Sequence, residues 1–117
     1  MVSSKPSVYL FVGDDEYSKE KAIADLKSSI LKGSPGDLDY KVFHGGEVNF
    51  IEVLDCITTI PFLSANRLVV IKNIEDLDDM DLDRLLTYIK KPLKSTRLIL
   101  DAKSDSIINR NEELARF

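Results

Sequence analysis

Val8-Tyr9-Leu10-Phe11-Val12-Gly13-Asp14-Asp15-Glu16-Tyr17-Ser18-Lys19-Glu20 is the stretch whose reading decides the fold. Its first five residues are a continuous apolar and β-branched run, the pattern of a strand buried on both faces of a parallel sheet. Gly13 ends that strand. From about Glu16 to Lys32 the apolar positions Ala22, Ile23, Leu26 and Ile30 fall at helical spacing, and Gly33-Ser34-Pro35-Gly36 supplies the stop. The stretch therefore reads as strand, glycine-led turn and helix in immediate succession.

The same unit recurs along the chain. Tyr40-Lys41-Val42-Phe43 reads as a second strand closed by Gly45-Gly46, and Asn49 with Glu52 three residues later forms a capping box for a helix from Phe50 to Thr58 that ends before Pro61. Arg67-Leu68-Val69-Val70-Ile71-Lys72 is a third buried strand. After an acidic loop from Glu75 to Asp83, the set Leu82, Leu85, Leu86 and Ile89 marks a third helix, followed by Pro92. Thr96 to Asp101 is the fourth strand, and Asn109 to Phe117 reads as the start of a further helix. Strand and helix alternating in this way predict an α/β fold: a three-layer open parallel sheet with right-handed crossovers and helices on both faces.

Bulk properties bound the function. A chain of 117 residues, 44% hydrophobic and 31% charged, fits one soluble globular domain able to bury its own core. The net charge of -4 has the wrong sign for a domain whose main ligand is a phosphate backbone, so any DNA contact is expected to be at most indirect. Cys56 has no second cysteine to pair with, and with His44 as the one histidine the chain offers too few soft ligands for zinc. No metal and no cofactor are expected. The polar start and the short run Val8 to Val12 suggest neither a signal peptide nor a membrane span, which makes the cytoplasm the expected location.

In open α/β sheets the ligand crevice lies at the carboxyl ends of the strands, so the loop after the first strand is the place to look for chemistry. A phosphate-binding loop needs a second glycine so that backbone amides wrap the phosphates, then a lysine, then a hydroxyl for magnesium. In that frame Gly13 and Lys19 keep their spacing, but Ser18 stands at the second glycine and Glu20 at the hydroxyl. Asp14, Asp15 and Glu16 add three carboxylates that repel a triphosphate at short range. Equally, those three suit a solvated first helical turn favoured by the helix dipole. The end of the third strand, where a P-loop ATPase needs an acidic residue, holds Lys72-Asn73. The fold is thus P-loop NTPase-like without a functional Walker A or Walker B station, and no catalysis is expected. An active P-loop ATPase is disfavoured by those missing parts. A response-regulator receiver, suggested by Asp14-Asp15, lacks its phosphorylatable aspartate at Lys72-Asn73.

Three segments carry a family resemblance: Tyr9 to Glu16, then Ile60-Pro61-Phe62-Leu63-Ser64-Ala65-Asn66-Arg67-Leu68-Val69-Val70, and Ser95-Thr96-Arg97-Leu98-Ile99-Leu100. In their order and separation the chain resembles the N-terminal domain of the delta subunit of the bacterial clamp loader, a DNA polymerase III component that opens the sliding clamp. The resemblance implies an AAA+ type domain that has lost its ATP site, within a longer protein carrying a lid and a helical collar. It implies the sliding clamp (beta) as partner, alongside the delta prime and gamma or tau subunits of the loader. By the same resemblance Pro61 and Phe62, with Leu63 beside them, form an apolar wedge for a pocket on the clamp, with Arg67 at its rim. Taken without it, Phe62 and Leu63 read equally well as ordinary core between the second helix and the third strand. A wedge is physically reasonable, since burying one Phe is worth roughly 1.5–3 kcal/mol and a few aromatic anchors dominate most interfaces.

Two further features have simple readings. Lys90, Lys91, Lys94 and Arg97 gather at the end of the third helix, where they complement its carboxyl terminus or meet DNA or an acidic partner. If the family's strand order holds, Val8 to Val12 forms an open sheet edge.

Overall fold

The computed structural model describes residues 7–33, 38–47, 49–59, 66–93 and 95–103. Within them run β1 (Val8–Val12), α1 (Glu16–Gly33), β2 (Leu38–His44), α2 (Phe50–Thr58), β3 (Asn66–Lys72), a single 3-10 turn (Ile74–Asp76), α3 (Asp79–Ile89) and β4 (Thr96–Ala102). The strands form one parallel sheet in the order β1-β4-β3-β2. The helix expected from Asn109 to Phe117 lies outside the described residues.

Alternation along the central strands sorts their side chains into two layers, as a period of two requires. Leu68 and Val70 of β3 and Ile99 of β4 turn to one face, where they meet Ile23 and Ile30 of α1. Val69, Ile71, Leu98 and Leu100 turn to the other, against Phe50, Val53 and Ile57 of α2 and Leu82, Leu85 and Ile89 of α3. Each fully buried Leu or Ile contributes roughly 1.5–3 kcal/mol, so the heavier α2/α3 side carries most of the core.

Three expectations are adjusted. First, β1 is not buried on both faces: only Val8 is fully covered and Val12 is exposed, because among the described residues β1 pairs with β4 alone and stands at the sheet's edge. The edge itself agrees with the expected strand order. Second, the acidic stretch is not a loop as far as Asp83. Asp78 accepts a hydrogen bond from the Asp81 amide at 2.8 Å and caps α3, which begins at Asp79. Carboxylates in a first turn favour the helix through its dipole, so acidity there extends the helix rather than delaying it. Third, the strands β2 and β3 pair over their whole length, from Leu38 opposite Asn66 to His44 opposite Lys72, which lengthens β2 at both ends.

Candidate functional site

The parallel register brings the carboxyl ends of β1, β3 and β4 to one edge of the sheet, beside the amino end of α1. Gly13 leaves β1 with φ of 140° and donates its amide to the Ala102 carbonyl at 3.0 Å. A Cβ on Gly13 would meet nothing within 4 Å, so it is the backbone conformation, not crowding, that calls for glycine. Asp15 then caps α1, accepting from the Ser18 amide at 3.1 Å and the Ser18 hydroxyl at 2.7 Å. Those bonds from Ser18 hold the Asp15 carboxyl below its ordinary value.

One turn into α1, Lys19 points inward and is only 7% exposed. Its Nζ donates to Asp101 Oδ1 at 2.6 Å, to Glu16 Oε2 at 3.2 Å and to the Ala102 carbonyl at 3.2 Å. An ammonium has three protons, and here three acceptors take them. Burial by itself lowers the Lys19 pKa, but the hydrogen bonds to Asp101 and Glu16 outweigh it and hold the ammonium above its ordinary value. Asp101 is 4% exposed, so both members of the pair are buried.

A second pair lies beside it, nearer the surface. Lys72, the last residue of β3, donates to Glu20 Oε1 at 2.7 Å. The Glu20 carboxyl is held low, first by this hydrogen bond and then by the Lys72 charge, while Lys72 is held high by the same bond. After Lys72 the chain turns through Asn73 in the left-handed region, with φ of 57°. Asn73 tolerates this conformation better than most residues. Asp14 and Tyr17 face outward; Tyr17 is 76% exposed.

A separate polar cluster lies at the carboxyl end of α2, away from its cap. Asn49 caps α2 by accepting the Ile51 amide at 3.0 Å. At the far end of α2, Arg67 Nη1 reaches the Cys56 carbonyl at 2.5 Å and the Thr59 carbonyl at 3.1 Å, while its Nε binds Asp39 Oδ2 at 2.8 Å. Arg67 thus faces inward, onto the carbonyls that the end of α2 leaves unpaired. Beside it an open groove of about 360 Å³ runs between α2 and β2, floored by Phe43 and Cys56 and rimmed by Lys41, Glu52 and Asp55. Burial pushes the Cys56 thiol up, as suits a half-covered apolar filler.

The sequence matches the family described as "DNA polymerase III, delta subunit" over residues 9–116. The chain belongs to that family. Its fold is similar to the Bacillus subtilis DNA clamp loader delta protein, with a TM-score of 0.75 at 22% identity. The match covers 94% of this chain and 36% of that one, so the chain spans about a third of its structural relative. Among curated proteins none matches the sequence.

For a delta-family chain the placement of the expected residues is instructive. Gly13, Asp14, Asp15, Glu16, Ser18, Lys19 and Glu20 lie along the turn from β1 into the first turns of α1, and Lys72 reaches Glu20 from β3. Pro61, Phe62 and Leu63 lie outside the described residues, as does Lys94. Arg67 is described, and its charge is engaged by Asp39 and by α2. Lys90 and Lys91 are exposed at the end of α3, whereas Arg97 is half-buried, with its Nε enclosed and unbonded. Sequence reasoning passed over Asp101 and Asp39. Each was invisible because its importance depends on which strand lies next to which, and no local periodicity carries that. No helix among the described residues is long and apolar enough to cross a membrane, and no group of them is arranged to hold a metal.

Proposed function

We propose that this delta-family domain binds the DNA polymerase sliding clamp through Pro61, Phe62 and Leu63, and helps to hold the ring open for loading during replication without hydrolysing ATP itself. Beside family membership, the observation that carries this reading is the position of Arg67. Its guanidinium ties Thr59, where the chain leaves α2, to the start of β3, where it returns. Thr59 and Arg67, the described residues on either side of that segment, are therefore joined by one side chain. A loop with fastened ends loses less entropy when it docks, which is how a few apolar residues become an effective anchor.

The absence of ATPase chemistry is supported by the crevice. The strand order and the glycine-led turn suit a degenerate P-loop of the AAA+ kind, in which Lys19 has no proton free for a phosphate and Glu20 stands where magnesium would need a hydroxyl. The domain would then act by differential affinity, favouring the open ring only by the difference in its binding to the two clamp shapes. The longer delta protein would meet the delta prime and gamma or tau subunits, in the cytoplasm, with any DNA contact indirect.

The test is clamp binding by the full-length chain on a sensor surface. Replacing Phe62→Ala and Leu63→Ala together is expected to weaken binding at least about 30-fold, the loss of a hot spot, with the circular dichroism unchanged. Undiminished binding moves the site elsewhere. Micromolar ATP affinity in the presence of magnesium, measured by calorimetry, overturns the nucleotide-free reading.

A further inference from the structure

We propose that the Lys19–Asp101 and Lys72–Glu20 pairs form a built-in latch, in which Asp101 serves as an internal anion that holds the β1–α1 loop closed without any ligand. The latch rests on bonds between distant parts of the chain. Asp101 and Ala102 end β4, yet they receive the Lys19 ammonium, and Ala102 also receives the Gly13 amide at 3.0 Å. Lys72 ends β3 and donates to Glu20, the residue after Lys19 in α1. The first turns of α1 are therefore fastened to both central strands, by one buried ion pair and one partly exposed pair.

The charges fit this role in detail. A loop built around a mobile anion needs unsatisfied donors when the anion is away. Here the Lys19 donors are all taken by the chain's own oxygens, and two of those oxygens are carboxylate. At 4% exposure Asp101 is costly to leave unpaired, so the pair stays made. Asp15 adds a third fastening within the loop itself, through its two bonds from Ser18. The description of Asp101 as a stand-in for phosphate rests on the degenerate P-loop reading; the latch as a mechanical device does not.

The experiment compares the full-length chain with its Asp101→Asn variant by hydrogen exchange across residues 13–20 and by amine acylation of Lys19, with exposed Lys21 as the internal reference. In the parent chain Lys19 is expected to label at least about tenfold more slowly than Lys21, since only opening of the latch exposes it. In Asp101→Asn, Lys19 labelling and exchange over 13–20 both rise at least about tenfold, while exchange in α3 stays as it was. Equal labelling of Lys19 and Lys21 in the parent, or unchanged exchange over 13–20 in the variant, overturns the latch. Should Asp101→Asn fail to fold, Lys19→Met with Asp101→Leu removes both charges together and is expected to fold; retained protection of residues 13–20 there also overturns the latch. Inorganic pyrophosphate separates the two layers of the proposal. Protection of Lys19 by pyrophosphate in Asp101→Asn supports both the latch and the phosphate-loop reading. A released loop that pyrophosphate does not protect upholds the latch and removes that reading. Pyrophosphate binding to the parent chain overturns the latch.

Discussion

Lys19 Nζ lies 2.6 Å from Asp101 Oδ1, a buried ion pair that joins the first turn of α1 to the end of β4 across 82 positions of sequence. Two charges taken out of water depend on each other, so the consequence of breaking the pair differs from that of deleting it. Lys19→Met alone leaves a buried carboxylate without its cation and is expected to cost about 3–5 kcal/mol, whereas Lys19→Met with Asp101→Leu is expected to fall within about 1–2 kcal/mol of the parent. Urea unfolding of the single and double variants measures both. Equal losses in the two would mean that the pair is not coupled.

The same groups predict how stability responds to pH. Asp15 and Glu20 are held below their ordinary values of 3.8 and 4.5, so the stability they contribute is present above those values and is lost as pH falls through the lower folded-state values. Lys19 and Lys72 are held above 10.5, so theirs is complete below that point and is lost as pH rises through the folded-state values. Cys56, pushed up from 9.0 by burial, begins the alkaline fall earliest, because above that pH the unfolded chain gives up its thiol proton first. The contribution of these groups to the urea midpoint should therefore be constant between about pH 5 and 8.5 and should fall on either side. Asp15 and Glu20 are exposed and screened, so the acid limb is shallow. Cys56→Ala should delay the alkaline fall; an unchanged alkaline limb would remove Cys56 from this account.

Gly45 makes a prediction of a different kind. Its amide bonds the Lys72 carbonyl at 2.7 Å, and an added Cβ would stand 2.2 Å from the Asn73 carbonyl oxygen. Asn73 already occupies the left-handed region and has little room to give. Gly45→Ala should destabilise by about 1–3 kcal/mol through overpacking, measured by thermal unfolding. A change within about 0.5 kcal/mol, the scale of an ordinary surface substitution, would show that the Lys72–Asn73 turn yields freely.

These residues show what was legible in the sequence and what was not. The run Leu68 to Ile71 announces a strand because buried parallel strands are continuous in hydrophobicity, and Val8 to Val12 announces one too, although its place at the sheet edge leaves most of it partly exposed. Ile23, Ile30, Leu82, Leu85 and Ile89 announce helices by their period, and Asn49 its cap. Lys19 and Glu20 were legible as residues of the first helix after β1. Their partners Asp101 and Lys72 were not, since pairing needs β4 beside β1 and β3 beside α1, a fact of topology. The extent of α3 was misread for a local reason: a run of aspartates resembles a loop by composition, yet it serves a helix start by electrostatics. The partners of Arg67 were not legible either, since Asp39 and the two carbonyls that accept from it come from β2 and the end of α2.

Arg67 gives the last prediction, because it links the fold to the proposed clamp contact. Its guanidinium makes three bonds, two to α2 carbonyls and one to Asp39, and the removal of such charge-assisted bonds typically costs about 1.5–3 kcal/mol in total when water replaces part of them. Arg67→Met keeps the apolar stem and removes the bonds, so it should lower stability by about that amount and loosen the end of α2. If the Thr59–Arg67 tie supports the proposed contact, clamp binding should weaken by about tenfold, with the loss appearing mainly in the dissociation rate. Asp39→Asn, which leaves the two α2 carbonyl bonds in place, should affect stability less and clamp binding little. The comparison of dissociation rates for these two variants separates fastening from charge. Equal weakening in both would instead assign Arg67 and Asp39 a shared electrostatic role at the interface rim.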